Sequence, residues 1–183
     1  MISHGAFMAV LIILSLVFSV LHLPQTAPDL LGYWRPQWIL LALILWVQRI
    51  PEYRGGLFAL LFTKSASDDG TTARRVLVMV WLLGFYLDTL LGDAFGLNGA
   101  IHATIAFYLL RFRERLQMQT LLQQMVMVFM MVFLAELLRA YVRNTVTGQP
   151  WSLQPLALAV SSMVFWPLYV LAAAKMLGGQ RRA

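Results

Sequence analysis

The stretch Leu121–Tyr141, LLQQMVMVFMMVFLAELLRAY, decides the fold class of this chain, with Glu136 and Arg139 as its charged residues. A helix needs about 20 mostly apolar residues to cross the hydrocarbon core of a bilayer, so the stretch predicts a transmembrane helix. The whole chain of 183 residues is 60% hydrophobic and 12% charged, whereas soluble domains carry about a quarter charged residues. The composition predicts an all-α integral membrane protein and excludes a cytosolic enzyme.

The same criterion predicts a single domain of six transmembrane helices. Residues 64–75 are polar and rich in turn-forming residues, and we expect them to form a cytoplasmic loop. Gly55–Thr63 is too short to span and is either an interfacial segment or an extension of the second helix. The first five residues hold no Lys or Arg, which favours a retained first helix over a cleaved signal peptide. The predicted helices cover about 6–23, 34–50, 76–92, 98–112, 120–142 and 152–176.

The distribution of basic residues predicts the orientation of these helices. Cytoplasmic loops of membrane proteins carry an excess of Lys and Arg. With both termini in the cytoplasm, the outer segments hold three of the 14 basic residues, Arg35, Arg139 and Arg143. The other eleven are then cytoplasmic: Arg49, Arg54, Lys64, Arg74, Arg75, Arg111, Arg113, Arg115, Lys175, Arg181 and Arg182.

The inventory of reactive residues predicts no catalytic residue, no metal site and no cofactor. The absence of cysteine excludes disulfides, thiol catalysis and cysteine-ligated zinc. No metalloprotease, serine-hydrolase or phosphate-loop motif is present. The net charge is +6, but no basic run is interleaved with aromatic residues, so a nucleic-acid partner is not expected.

Four ionisable side chains, Asp88, His102, Glu136 and Arg139, fall within predicted helices. One hypothesis is a buried cluster that binds a substrate, relays protons or docks a partner helix, because ionisable residues in membranes are costly and often functional. The other is an internal polar network in which Asp88 or Glu136 pairs with Arg139. Glu136 and Arg139 are three residues apart on one helix and can meet directly. We favour the internal network.

Asp88 lies between Gly84 and Gly92, four residues to either side. Small residues at this spacing allow another helix to approach closely, so we expect Asp88 to pack against protein through both glycines. The partner is either the chain's own fourth helix or a helix of another subunit. The short connection Gly92–Leu97 favours the fourth helix.

Three motifs resemble, in their order and spacing, the rod-shape-determining MreD family over nearly the whole chain. The first is Arg35-Pro36-Gln37-Trp38 before a leucine-rich run, and the second is Gly84-x-x-x-Asp88-x-x-x-Gly92-x-x-x-Gly96. The third is Phe165-Trp166-Pro167 in the last helix, followed by a basic tail. The resemblance marks Arg35, Pro36, Trp38, Trp166 and Pro167 as candidate packing or partner residues.

This resemblance implies a non-enzymatic scaffold in the bacterial inner membrane that helps to maintain rod cell shape during peptidoglycan synthesis. The implied partners are an MreC-like protein, an MreB-like filament, and a RodA-like glycosyltransferase with its class B transpeptidase. Homo-oligomerisation is left open. The alternative is a small-molecule-binding membrane subunit or carrier of a transporter, with Asp88 and His102 in a cavity lined by Trp81, Phe85 and Tyr86.

Overall fold

The chain is all-helical in the computed structural model, which describes residues 4–20, 34–48, 68–92, 95–148 and 150–178. These residues form six helices and no strand, which confirms the predicted all-α class for the described part of the chain. The helices are α1 His4–Val20, α2 Trp38–Val47, α3 Asp68–Leu91, α4 Leu97–Gln117, α5 Leu121–Thr147 and α6 Gln154–Gly178.

The helices belong to two compact units. The continuous unit comprises Leu43–Gln119 and contains α3 and α4. The discontinuous unit comprises Met1–Ala42 and Thr120–Ala183, and contains α1, α5 and α6. The boundary between the units falls within α2.

In the continuous unit, α3 and α4 pack against each other as an antiparallel hairpin. Apolar residues at helical spacing form the buried face of each helix. On α3 these residues are Ala73, Val76, Leu77, Val80 and Leu87, and on α4 they are Ile101, Ile105, Ala106, Leu109 and Leu110.

The start of α3 corrects the predicted loop. The helix begins at Asp68, so the prediction of a loop over residues 64–75 is wrong from Asp68 onward, while residues 64–67 lie outside the described residues. The reason is that the buried stripe already begins at Ala73, which is fully buried. Alanine and arginine are also strong helix formers, so Ala73, Arg74 and Arg75 continue the helix into the polar segment.

The other end of the hairpin is also longer than predicted, because α4 continues to Gln117 instead of ending near 112. Leu116 is buried, so the apolar face persists through the basic segment. Arg113 Nε donates to the carbonyl oxygen of Gln48 at 2.7 Å, and Gln117 Nε2 donates to the same oxygen at 3.2 Å. The extra turns of α4 therefore cap the C-terminal end of α2, whose carbonyl groups lack partners in their own helix.

In the discontinuous unit, α5 packs against α6. Their buried faces include Val128, Val132 and Ala135 on α5, and Leu158, Ala159 and Ser162 on α6. Helix α5 begins after a capping box, in which Thr120 and Gln123 exchange side-chain and backbone hydrogen bonds. It continues beyond the predicted end at 142 as far as Thr147, followed by Gly148 with a φ of 66°, a conformation typical of residues that terminate helices.

Helix α2 is shorter at its start than predicted. It begins at Trp38 instead of residue 34, and the predicted end at 49–50 lies outside the described residues. The ring of Pro36 disfavours helical conformation at Arg35, so Arg35, Pro36 and Gln37 precede the helix.

Within the described residues, two helices are long and apolar enough to cross a membrane. Leu121–Val146 has a mean hydropathy of 2.0, and Gln154–Ala172 has one of 1.7. The apolar helices Val10–Ser19 and Trp38–Val47 are shorter. On α5 an exposed apolar stripe recurs every fourth residue, which suits contact with lipid: Leu122, Val126, Met130, Leu134 and Leu138.

Candidate functional site

Asp88 lies near the C-terminal end of α3 and caps the following helix. The residue is 1% exposed. Oδ2 accepts a hydrogen bond from the backbone N–H of Gly96 at 2.8 Å, and Oδ1 accepts one from Asn98 at 3.0 Å. Gly96 is the N-cap residue of α4 and has no side chain to perform this role. Helix N-termini carry unpaired amide groups and a partial positive charge, so Asp88 supplies from α3 the acceptor that α4 lacks.

Gly84 brings the backbones of α3 and α4 into contact. A Cβ atom at Gly84 would lie 2.6 Å from both Cα and N of Gly99 on α4. This geometry matches the intramolecular alternative, in which the glycine admits the chain's own fourth helix.

Gly92 has a different role from the one predicted. Among the described residues, apart from the chain neighbours of Gly92, no atom lies within 4 Å of the position that a Cβ would occupy there, so none of the described helices makes the close approach that was expected at Gly92. The residue follows the last residue of α3 and has a φ of +67°. Glycine adopts this left-handed conformation without the steric cost that other residues meet, which allows the chain to turn immediately after Leu91.

His102 is 2% exposed and lies one helical turn after Asn98 on α4. Its Nδ1 lies 2.6 Å from the carbonyl oxygen of Asn98. Asn98 therefore bonds through its N–H to Asp88 and through its carbonyl to His102, and it is a site residue that the sequence did not single out. Trp81, Phe85 and Tyr86, which the carrier hypothesis places around a cavity with Asp88 and His102, are exposed on α3.

Glu136 and Arg139 form a buried ion pair on α5, in which Arg139 Nη1 donates to Glu136 Oε1. Gln37 Nε2 donates to the same carboxylate oxygen at 2.7 Å, and the backbone N–H of Gln37 donates to Ser162 Oγ at 3.0 Å. Gln37 thus links α5 to α6 through two polar contacts. Gln37 belongs to the motif Arg35-Pro36-Gln37-Trp38, but only the other three residues of that motif were marked as candidates from the sequence.

The remaining residues of that motif contact α1 and α6. Arg35 Nη2 donates to the carbonyl oxygen of Phe18 on α1, and Pro36 is buried. The Trp38 ring lies 5.7 Å from the Phe18 ring, and its centroid is 5.2 Å from that of Phe165 in an edge-to-face arrangement. Aromatic pairs of this geometry add about 0.5–1.5 kcal/mol beyond the burial of their surface. Together with the hydrogen bond from Gln37 to Glu136, these contacts connect the motif to α1, α5 and α6.

Trp166 is fully buried, and its Nε1 donates to Gln124 Oε1 on α5 at 3.3 Å. Pro167 lies inside α6, which continues to Gly178. The predicted kink at Pro167 stays a prediction. Both residues of the motif thus lie in the helix that packs against α5.

A small cleft of about 40 Å³ lies where the C-terminal part of α5 meets the start of α6. Among the described residues, no three His, Asp or Glu side chains are arranged to hold a metal ion. The cleft is lined by the polar side chains of Glu136, Arg139, Arg143, Ser152 and Gln154, and by the apolar side chains of Ala140, Pro150 and Pro155.

The predicted polar residues thus fall into two groups. Asp88 and His102 meet at Asn98 in the continuous unit, and Glu136 and Arg139 meet in the discontinuous unit. In both groups the observed bonds join parts of the same chain. No model of a known protein family, no curated protein and no solved structure matches this chain.

Proposed function

We propose that this protein is a non-enzymatic scaffold of the bacterial inner membrane, similar to the MreD family, that helps to maintain rod cell shape. In this proposal it crosses the membrane six times with both termini in the cytoplasm. It organises an MreC-like protein, an MreB-like filament, and a RodA-like glycosyltransferase with its class B transpeptidase.

The observation that carries the proposal is the use of the buried polar residues within the chain. Asp88 accepts hydrogen bonds from two backbone N–H groups of the next helix. Glu136 pairs with Arg139 and accepts a hydrogen bond from Gln37. A catalytic or transport residue must exchange its partners for a substrate during each cycle, whereas these groups fix helices to one another. Such an arrangement suits a protein whose task is to present surfaces.

The bonding of Asp88 and His102 supports a scaffold over a carrier. Asp88 and His102, which the carrier hypothesis assigns to substrate binding, are buried and bond to Asn98.

The two long apolar helices support a membrane location. The stretch Leu121–Val146 of α5 and the stretch Gln154–Ala172 of α6 are long and apolar enough to cross a membrane, whose hydrocarbon core is about 30 Å thick. Helices α3 and α4 contain 24 and 21 residues, but these lengths include the arginines that the proposal places in the cytoplasm, so their apolar parts are shorter. Helix α2 contains ten residues, or about 15 Å, which is about half the thickness of the core.

The exposed aromatic face of α3 supports contacts with other membrane proteins. Trp81 stacks on Phe85 with ring centroids 5.7 Å apart, and Phe85 lies 6.0 Å from Phe95. All three side chains are exposed. Rigid aromatic side chains are enriched where proteins contact one another, and this row is one candidate contact surface.

Depletion of the protein in its native bacterium tests the proposal. A scaffold acts through its stoichiometry with partners, so depletion should widen or round the cells in both rich and minimal medium. A carrier instead supplies one compound, and growth should return when that compound enters by another route. Normal rods whose growth is restored by a single nutrient would overturn the scaffold and favour the carrier.

Isolation of the protein from native membranes in mild detergent provides the second readout. The scaffold predicts recovery of MreC-like and RodA-like proteins with the full-length chain. Recovery of an ATPase pair with a coupling membrane subunit would instead indicate a transporter.

A further inference from the structure

The C-terminal part of α4 has two faces with different surroundings. On one face, Arg113 and Gln117 donate to the carbonyl oxygen of Gln48, and Leu116 is buried. These contacts fix which side of α4 is turned outward, because residues three and four apart share a helix face. The residues of the opposite face, which ends at the C-cap residue of α4, are all exposed: Tyr108, Arg111, Phe112, Arg115 and Met118. We call these five residues the basic–aromatic face.

The basic–aromatic face carries two positive charges that are available to a partner. In the described part of the chain, the guanidinium groups of Arg111 and Arg115 form no hydrogen bond or ion pair. Glu114 is the acidic residue of this segment, and it lies about a quarter of a turn from the centre of the face. It already has an interaction within the chain. Because an arginine carries five N–H donors and no acceptor, the face suits an anionic partner.

The contact between α3 and α4 shows at which depth this face lies. Gly84 and Gly99 are at the same level of the antiparallel hairpin, because their backbones approach each other there. Arg75 precedes Gly84 by nine residues, and Arg111 follows Gly99 by twelve, which corresponds to about 14 and 18 Å along the two helices. The segments between these glycines and arginines contain no Lys, Arg, Asp or Glu. Both helices therefore change from apolar to basic at nearly the same level, as helices do at the boundary of a bilayer.

We propose that the basic–aromatic face binds the headgroups of anionic lipids at one surface of the membrane. Arginine binds phosphate oxygens with charge-assisted hydrogen bonds, and basic residues next to a membrane are attracted to anionic lipids. Tyr108 and Phe112 belong to the aromatic class of side chains that is enriched at this boundary. The proposal goes beyond the scaffold function and requires only that this end of the hairpin lies at a membrane surface.

The alternative occupant is an acidic segment of a partner protein, which would match the same charges. The spacing of the arginines favours lipid. Arg111 and Arg115 are four residues apart, or about 6 Å along α4, and the headgroup layer on each side of the hydrocarbon core is about 5–8 Å thick. Both guanidinium groups therefore fit within one headgroup layer, directly beside the apolar part of the same helix.

Lipid binding by the purified full-length chain tests this face. The protein is titrated in detergent with phosphatidylglycerol and, separately, with zwitterionic phosphatidylcholine, and the bound lipids are counted by native mass spectrometry. The double variant Arg111→Gln/Arg115→Gln should weaken the tightest phosphatidylglycerol binding by about fivefold for each arginine removed. Phosphatidylcholine binding should not change. Arg111→Lys/Arg115→Lys should retain most of the phosphatidylglycerol binding, because a lipid surface attracts the charge itself.

The double variant Arg75→Gln/Lys175→Gln is the matched control. Both side chains are exposed, and their replacement removes the same two positive charges from the chain. They lie on different helices, and neither has another basic residue one turn away. The control should leave the tightest phosphatidylglycerol binding unchanged. Circular dichroism of each variant establishes that the helical content is retained before binding is compared.

The outcomes separate a local lipid site from the effect of net charge. Weaker phosphatidylglycerol binding in Arg111→Gln/Arg115→Gln alone supports the face, as does weaker binding of the unmodified protein at high salt, which screens exposed charges. Equal weakening in the two glutamine variants would overturn the face, because binding would then follow net charge alone. Equal weakening in the glutamine and lysine variants at residues 111 and 115 would also overturn it.

A deca-glutamate peptide tests the alternative occupant in the same preparation. Retention of phosphatidylglycerol in the presence of excess peptide supports the lipid assignment. Displacement of the lipid by the peptide, with a dependence on Arg111 and Arg115, would overturn the lipid assignment in favour of an acidic protein segment.

Discussion

A single carboxylate, that of Asp88, determines how α4 begins. Both of its oxygens accept backbone N–H groups, one from Gly96 and one from Asn98. A carboxylate has acceptor sites on each oxygen, whereas an amide has one acceptor and one donor group. The position therefore requires an acid and not only a polar residue of the same shape.

Asp88→Asn should lower the free energy of unfolding by about 1–3 kcal/mol, because one backbone N–H of α4 would face an amide donor instead of an acceptor. The loss is measured by thermal or denaturant unfolding of the purified protein in detergent. Glu114→Gln is the matched control, since it makes the same chemical change on an exposed side chain of α4. A smaller effect for Asp88→Asn than for Glu114→Gln would contradict the capping role.

The burial of Asp88 could be predicted from the sequence, but its hydrogen-bond partners could not. Burial follows from a charged residue between glycines on an apolar helix. The two amide groups belong to Gly96 and Asn98, beyond the turn, and their position depends on the backbone path after Gly92. Helical spacing describes one helix at a time and contains no information about that path.

At the scale of elements, the close contact between α3 and α4 depends on Gly84. Gly84→Ala should strongly destabilise the hairpin, because the new Cβ would lie 2.6 Å from backbone atoms of Gly99, which cannot move without separating the helices. Gly99→Ala is a graded comparison, since its Cβ would lie 3.1 Å or more from atoms of Trp81. The variants are compared by their unfolding temperatures and by their accumulation in membranes.

Gly92→Ala separates steric contact from backbone strain. It should cost about 1 kcal/mol from the positive φ alone, because no atom of the described residues beyond its chain neighbours lies within 4 Å of the added Cβ. A larger loss of stability in Gly92→Ala than in Gly84→Ala would contradict the assignment of the close approach to Gly84.

Element boundaries were harder to predict than the elements themselves. The predicted start at residue 76 relied on the first strongly apolar residue, whereas α3 begins at Asp68 because Ala73 is already buried. A small residue such as alanine gives little hydropathy signal, although it can be fully buried. By contrast, the predicted end of this helix at residue 92 lies one residue beyond its observed end at Leu91, because the apolar run stops there.

At the scale of the whole molecule, the proposed six crossings predict the location of each loop. A reporter inserted after Lys64 and one fused to Ala183 should both report the cytoplasm, while one inserted after Gly148 should report the periplasm. The physical reason is the excess of basic residues in the segments assigned to the cytoplasm. Alkaline phosphatase and green fluorescent protein fusions provide complementary readouts.

A periplasmic signal at Ala183 would contradict the proposed topology and would require an odd number of crossings. The fusion after Lys64 then locates the difference from the proposed number of crossings. A periplasmic signal at that fusion would mean that the difference lies in the segment of the first two predicted helices.

The division of the chain into a continuous and a discontinuous unit has a consequence for its biosynthesis. Gln37 bonds to Ser162, 125 residues later in the chain. At a synthesis rate of about 5–20 residues per second, that interval lasts roughly 6–25 s. Asp88, by contrast, meets the amide of Asn98 after ten residues, or about a second. The ribosome thus releases the bonded residues of the α3–α4 hairpin within about a second of each other. Gln37 and Trp38, in contrast, can contact Ser162 and Phe165 only after α6 has been synthesised.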